Sequence, residues 1–307
     1  EWKRQGRAGR IVVLERGQKP GRKLLATGNG RCNLTNRGAS LAHYHGDIGR
    51  MAPVLERISP TQVIRTFEEL GLLCRTEGQG RVYPYNVQAA AVRNVLLLEL
   101  ERCGVEILCD FAVAEVKRQE GGFLLTGADG TRLWAGALLL AAGGKASPQL
   151  GSDGSGFRLA EQLGHAVTPL SPALVGVKTP PHRVKALQGM RSYGTAALWV
   201  EGQKRREEAG EIQFTEYGLS GICVFQLSRH VAAAFWENPK ASVELSLDLV
   251  PEYDEAFLAK KIAGQAKRYP KQPVLELLSG MLNQRVGEEI VRLTLGHGRT
   301  AETVRFA

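Results

Sequence analysis

The sequence has no apolar run of the roughly 18–20 residues that a membrane-crossing helix needs. It has no opening stretch with a basic start, an apolar middle and a small-residue cleavage site, so nothing in it reads as a secretory signal. Its five cysteines, at 32, 74, 103, 109 and 223, include no CxxC pair. An odd, scattered set in a chain of 307 residues argues against a disulfide framework or a zinc site and fits reduced thiols in a cytoplasm. No segment repeats and none is of low complexity. Aromatic residues make up 7% of the chain and do not interleave with basic ones, which counts against a nucleic-acid surface. The net charge of +9 points to anionic partners, but its cations are scattered. The densest cluster, Lys204-Arg205-Arg206, is followed at once by Glu207-Glu208 and reads as a solvated hairpin tip. The partner expected on these grounds is a small molecule, with neither nucleic acid nor membrane.

What is present begins with a short hydrophobic strand that ends in an acid, Ile11-Val12-Val13-Leu14-Glu15. A Rossmann-type domain offers a carboxylate to a ribose hydroxyl pair from such a strand end; the plainer alternative is a surface acid. A basic loop follows, in which Arg22 and Lys23 beside Gly21 suit a pyrophosphate or a ribityl–phosphate arm. Next comes Thr27-Gly28-Asn29-Gly30-Arg31-Cys32-Asn33-Leu34-Thr35-Asn36. Gly28 and Gly30 bracket Asn29 with a spacing that permits positive φ and a close backbone approach. Cys32 has no second cysteine within three residues and is read as a packed thiol. His43 and His45 form an HxH pair without a third ligand at a sensible spacing, so no metal site is assigned.

Further along, Ser59, Pro60 and the apolar positions 63, 64, 67 and 70 predict a helix over 60–72, and 87–102 predicts another. Strands are expected at 105–108, 111–118, 122–127 and 131–135, the middle pair joined at Gly121-Gly122. The run Ala137-Leu138-Leu139-Leu140-Ala141-Ala142 reads as a buried central parallel strand ending in Gly143-Gly144. The segment Gly151-Ser152-Asp153-Gly154-Ser155-Gly156 leads into a helix at 157–163, whose N-terminus is a natural anion site; its GxxGxG form is not the dinucleotide fingerprint. From 165 the pattern turns proline-punctuated and β-rich, with strands at 174–178, 195–201, 211–214 and 241–249 and a helix at 222–235. Helices return over 255–266 and 273–282. The chain opens without methionine and stops on a strand-like Thr303-Val304-Arg305-Phe306, so both ends read as cuts in a longer protein.

Three blocks carry a family resemblance: GRKLLATGNGRCNLTN, LLLAAGGKASPQLGSDGSGFRLAEQLGH with PALV after it, and GEIQFTEYGLSGICVFQLSR. In this order they resemble the YhiN/BaiN-like flavoproteins, a group of NAD(P)/FAD-dependent and aminoacetone-oxidase-type enzymes. The resemblance implies an α/β fold: a Rossmann-like FAD-binding domain over 1–168 that lacks its first strand and GxGxxG loop, an inserted β-rich barrel over 169–250, and a small helical part of the insert over 251–307. It implies FAD held without a covalent bond, with NAD(P)H as electron donor. Glu15 would hold the adenosine ribose. Arg22, Lys23 and Thr27, Gly28, Asn29, Gly30, Arg31, Cys32 and Asn33 would run along the pyrophosphate and the isoalloxazine. Val113 would meet the adenine through its backbone, and Ala142, Gly143 and Gly144 would turn beside the cofactor. The implied activity, expected of the intact protein, is a cytoplasmic flavin-dependent oxidoreductase working by hydride transfer on a small organic substrate, an enone or an amine. No catalytic acid or base is assigned. The rival expectation is a flavin-related protein that binds nucleic acid or modifies tRNA.

Overall fold

Two valines and a leucine favour extended backbone, and Val12–Leu14 forms the first strand, β1, of a computed structural model that describes residues 3–46, 48–180 and 184–296. The expected strand at 303–306 lies outside the described residues. The chain divides into two compact units, 1–168 and 169–307.

In the first unit, β1 is followed by α1 (Arg22–Ala26), β2 (Thr35–Asn36), α2 (Ile48–Arg57) and α3 (Pro60–Glu69). Then come β3 (Cys74–Thr76), β4 (Arg81–Pro84), α4 (Ala89–Arg102), β5 (Glu106–Leu108), β6 (Val113–Gln119), β7 (Gly122–Gly127), β8 (Arg132–Ala135) and α5 (Ser155–Gln162). Helix α3 starts as its sequence requires: the Ser59 hydroxyl accepts from the Gln62 amide at 3.2 Å, and Pro60 occupies the first turn, where its missing N–H costs nothing. Its apolar face buries Ile64, and the chain leaves it through Gly71 at φ +90°.

β1 pairs in parallel with β5, Val12 opposite Glu106 and Leu14 opposite Leu108. The ladder continues one residue further: the Glu15 amide donates to the Leu108 carbonyl at 2.9 Å, and the Phe111 amide donates to the Glu15 carbonyl at 3.0 Å. Glu15 is therefore fixed at the carboxyl edge of the pair. Beside it stand two antiparallel three-stranded sheets, β2-β4-β3 and β6-β7-β8.

The run 137–142 departs from the expected buried strand. It is irregular, and Leu139 is 87% exposed. No described strand offers it a ladder, so its backbone has no reason to extend. Only Leu138 and Leu140 pack inward, against Val116, Leu125 and Leu159.

The second unit is a five-stranded antiparallel sheet curled into a half-barrel, with β9 (Val177–Lys178), β10 (Arg191–Val200), β11 (Gln203–Phe214), β12 (Gly218–Ser220) and β13 (Val243–Asp248) in the order β13-β10-β11-β12-β9. Among the described residues this half-barrel is the counterpart of the expected β-rich barrel. The β10–β11 turn has Glu201 and Gly202 both at positive φ, 51° and 73°, the twist a two-residue hairpin prefers. Lys204 and Arg206 follow that turn and pair with Glu207 and Glu208. Helix α6 (Ile222–Glu237) packs Val224 and Leu227 onto Leu198 and Ile212. Helices α7 (Glu255–Arg268), α8 (Val274–Leu278) and α9 (Gln284–Thr294) complete the described residues; α9 falls in the expected helical stretch, although no separate bounds were given for it. Leu198 is fully buried, so Leu198→Ala is expected to cost about 2–5 kcal/mol, read as a fall in the midpoint of urea unfolding.

Candidate functional site

A cavity of about 2450 Å³ lies at the carboxyl edge of β1, with every wall supplied by residues 8–159. Its walls are β1 with Glu15, the α1 segment, the start of β6, the irregular run 137–143 and the 148–159 loop with the first turns of α5.

Of the residues singled out from sequence, Glu15, Arg22, Lys23, Thr27, Cys32, Asn33, Val113, Ala142 and Gly143 line this cavity. Gly28, Asn29, Gly30, Arg31 and Gly144 are not among its lining residues. The Glu15 carboxylate accepts from the Gly17 amide at 2.7 Å, which fixes its orientation while leaving lone pairs for another donor. Lys23 donates to the Ser147 hydroxyl at 2.6 Å, tying α1 to the loop that follows Gly144. Val113 begins β6 next to a register shift, where Val113 faces Gly127 and Glu115 faces Thr126.

The bend over 27–33 is built largely from its own bonds. Gly28, Asn29, Gly30 and Cys32 all have positive φ, at 55°, 56°, 82° and 56°. A Cβ on Gly28 would stand 3.0 Å from the Asn33 amide nitrogen, so glycine is required there by space as well as by φ. The Thr27 hydroxyl donates to the Leu24 carbonyl at 2.6 Å. Arg31 pairs with Glu77 and lies over the Tyr83 ring, 4.1 Å from its centroid. That pairing holds the Glu77 carboxyl below its usual range. With its amide nitrogen toward the acceptors, Asn33 donates to the carbonyls of Thr35 and Val82 at 2.9 and 3.1 Å. Asn36 accepts from Gly38 and donates to the Gln79 carbonyl, both at 2.8 Å. Cys32 is buried with Leu72, Ala89 and Val92. The polar series that follows the glycines therefore anchors the bend to β2, β3 and β4.

The second glycine turn is held in the same way. Gly143, at φ +75°, would bring a Cβ to 3.2 Å from the Ser152 hydroxyl, and the Gly154 amide donates to the Gly144 carbonyl at 3.0 Å. Asp153 accepts from the Ser155 amide at 2.9 Å at the start of α5.

Sequence reasoning singled out neither Arg16 nor Arg93 among the cations in these walls. Arg16 donates to Asp153 at 2.7 Å and to the Gly151 carbonyl at 2.8 Å, so the residue after Glu15 locks the 151–153 turn to the end of β1. Arg93 of α4 also lines the cavity, and its Nε is buried without a partner. The signal for Arg93 was readable: it is the one charge in the apolar run from Ala89 to Leu98. Among the described residues the walls carry Arg10, Arg16, Lys19, Arg22, Lys23, Arg93 and Arg158 against the carboxylates of Glu15 and Asp110. Arg10 and Arg16 are neutralised by Glu106 and Asp153, and a positive surplus remains.

The bond from Arg16, and after it those from Ser155, hold the Asp153 carboxyl well below the ordinary aspartate range. A depressed carboxyl contributes its full stability above the unfolded value of about 3.9 and loses it as the pH falls toward the folded value. Asp153→Asn should therefore lower the melting temperature at pH 6–7, with the gap to wild type closing below about pH 4. A gap that persists unchanged to pH 3 would show that the carboxylate does not hold the turn.

Residues 3–301 match the family model described as HI0933-like protein Rossmann domain. The chain is 37% identical over 285 residues to the 3-dehydro-bile acid delta(4,6)-reductase of Clostridium scindens, covering 92% of this chain and 69% of that protein. It is 27% identical over 291 residues to the ribosomal RNA dihydrouridine synthase of Escherichia coli, covering 94% and 69%. The protein of the same name from Haemophilus influenzae is 27% identical over 286 residues, covering 91% and 67%. A match that spans nearly the whole chain, over the strand end and glycine turns just described, makes this a member of the HI0933-like Rossmann family.

Proposed function

We propose that the protein is a flavin-dependent reductase that binds FAD in the cavity of the first unit and reduces a carbon–carbon double bond conjugated to a carbonyl. The observation that carries the reading is that the Glu15 carboxylate, the bend at 27–33 and the Gly143 turn border one cationic space. Supporting it is the 37% identity to a reductase of a 3-dehydro-bile acid. The residues present fit a dinucleotide. A fixed carboxylate suits a ribose hydroxyl pair, a positive surplus suits a diphosphate, and an unpartnered buried guanidinium nitrogen is a donor awaiting an acceptor.

When bound, FAD supplies two-electron redox chemistry, with NAD(P)H as the electron donor. The chain's own residues position it. Glu15, oriented by the Gly17 amide, accepts from the adenosine ribose hydroxyls. Arg22 and Lys23 offset the phosphate charge, Lys23 while still bonded to Ser147. Val113 presents backbone to the adenine at the register shift where β6 begins. Thr27, Cys32 and Asn33 carry the bend to the ring end of the cavity, and their internal bonds keep it from collapsing inward. Gly28, Asn29, Gly30 and Arg31 shape that bend from behind. Ala142, Gly143 and Gly144 turn the chain beside the cofactor, the glycines leaving room for the Ser152 and Phe157 side chains that pack behind the turn.

A second reading keeps the chemistry and changes the substrate. Two relatives are named ribosomal RNA dihydrouridine synthases, and the double bond of a uracil base is also conjugated to a carbonyl. The greater identity to the bile-acid reductase favours the small molecule.

The purified full-length protein is expected to be yellow, with absorption bands near roughly 370 and 450 nm. Glu15→Ala should weaken FAD binding about 10- to 100-fold, the loss expected for hydrogen bonds to a charged group. A colourless folded protein that takes up no added FAD, or an unchanged affinity in the variant, would overturn the cofactor assignment. Supplied with NADH or NADPH, the enzyme should reduce a 3-oxo steroid with a conjugated double bond. Turnover of uridine in ribosomal RNA with none of the steroid would select the second reading.

A further inference from the structure

Arg93 is one of the cavity-wall cations that no carboxylate among the described residues pairs with, and its Nε is buried without an acceptor. It sits in the second turn of α4, a helix that buries Ala89 and Val92. Its stem lies flat on Gly21: a Cβ there would stand 2.9 Å from the Arg93 Cγ and 3.1 Å from its Cδ. Gly21 takes φ +82° and precedes α1, so it is at once the start of the Arg22-bearing helix and the seat of Arg93. Terminal Nη2 donates to the neighbouring Asn94 at 3.3 Å, a long bond, and Nε has no acceptor. No carboxylate among the described residues is paired with it, although Arg10 and Arg16 in the same walls each have one. Burying a guanidinium nitrogen without an acceptor is unfavourable, so the side chain is held there by packing on Gly21 and not by a partner.

We propose that Arg93 is a diphosphate-binding residue of this cavity. Seated on Gly21, it presents a guanidinium beside Arg22 to the phosphates of the dinucleotide. An arginine is suited to this by its planar fork, which grips two phosphate oxygens at once, as a lysine does not. Through the shared Gly21, bound phosphate also couples α4 to α1, ordering the segment that leads into the 27–33 bend. The inference rests on the dinucleotide reading and adds to it a phosphate ligand from α4.

The test uses Arg93→Met, which keeps the stem on Gly21 and removes the charge, with Arg93→Lys as companion. Binding of FAD and of riboflavin, which lacks phosphate, is measured for each full-length protein, together with the change in melting temperature on adding inorganic pyrophosphate. FAD affinity is expected to fall about 10- to 100-fold in Arg93→Met, with riboflavin affinity unchanged and partial recovery in Arg93→Lys. Pyrophosphate should raise the melting temperature of wild type and not of Arg93→Met. An equal loss for FAD and riboflavin, or equal protection of both proteins by pyrophosphate, would overturn the proposal and leave Arg93 as a packing residue. A wild type that binds no flavin, yet is protected by pyrophosphate only when Arg93 is intact, would uphold the phosphate site and defeat the flavin reading instead.

Discussion

The carboxyl end of β1 is the point on which the first unit's cavity depends. Two backbone bonds, to Leu108 and from Phe111, hold Glu15 in line with β5 one residue past the strand. The Gly17 amide then fixes its carboxylate, and Arg16 beside it fastens the 151–153 turn. Two consecutive side chains thus set a ligand group and the opposite wall. This is why the glycine-rich turn over 151–154 keeps a definite shape.

Both glycine turns follow one physical rule. Glycine admits the chain to conformations and clearances that a Cβ forbids, and polar side chains nearby spend their hydrogen bonds keeping the turn open. At 27–33 these are Thr27, Arg31 and Asn33; at 143–156 they are Lys23, Arg16 and Asp153. Several of the cations placed by sequence on a ligand therefore already have protein partners. The surplus left to attract an anion comes from Arg22, Arg93 and the other wall cations without a carboxylate of their own.

Much of this was legible in the sequence because it depends on local signals. Ser59-Pro60 announced α3, the alternating pair around Gly121-Gly122 announced the β6–β7 hairpin, and an acid after four apolar residues announced the end of β1. What was not legible depends on distant partners. The run 137–142 has the composition of a buried strand, but a strand needs a neighbour to pair with, and none of the described strands supplies one. The partners of Arg31 were not legible because Glu77 and Tyr83 lie some fifty residues away in sequence and meet it only through the β2-β4-β3 sheet. Arg16 carried no sequence signal of its own, because its partner Asp153 is brought to it only by the fold. In the second unit, the β-rich stretch and α6 were readable from short strand-like segments and a long apolar helix and the barrel came from the resemblance, whereas the bounds of α9 were hidden by its many charges.

The account stands on one ligand bridging the β1 carboxylate and the bend behind it. A crystal structure of the full-length protein with FAD added measures this directly. It should show the adenosine ribose hydroxyls about 2.6–3.2 Å from the Glu15 carboxylate, with the phosphates beside Arg22 and the ring toward Thr27–Asn33. A dinucleotide bound elsewhere, or a Glu15 carboxylate turned away from its ribose, would contradict it.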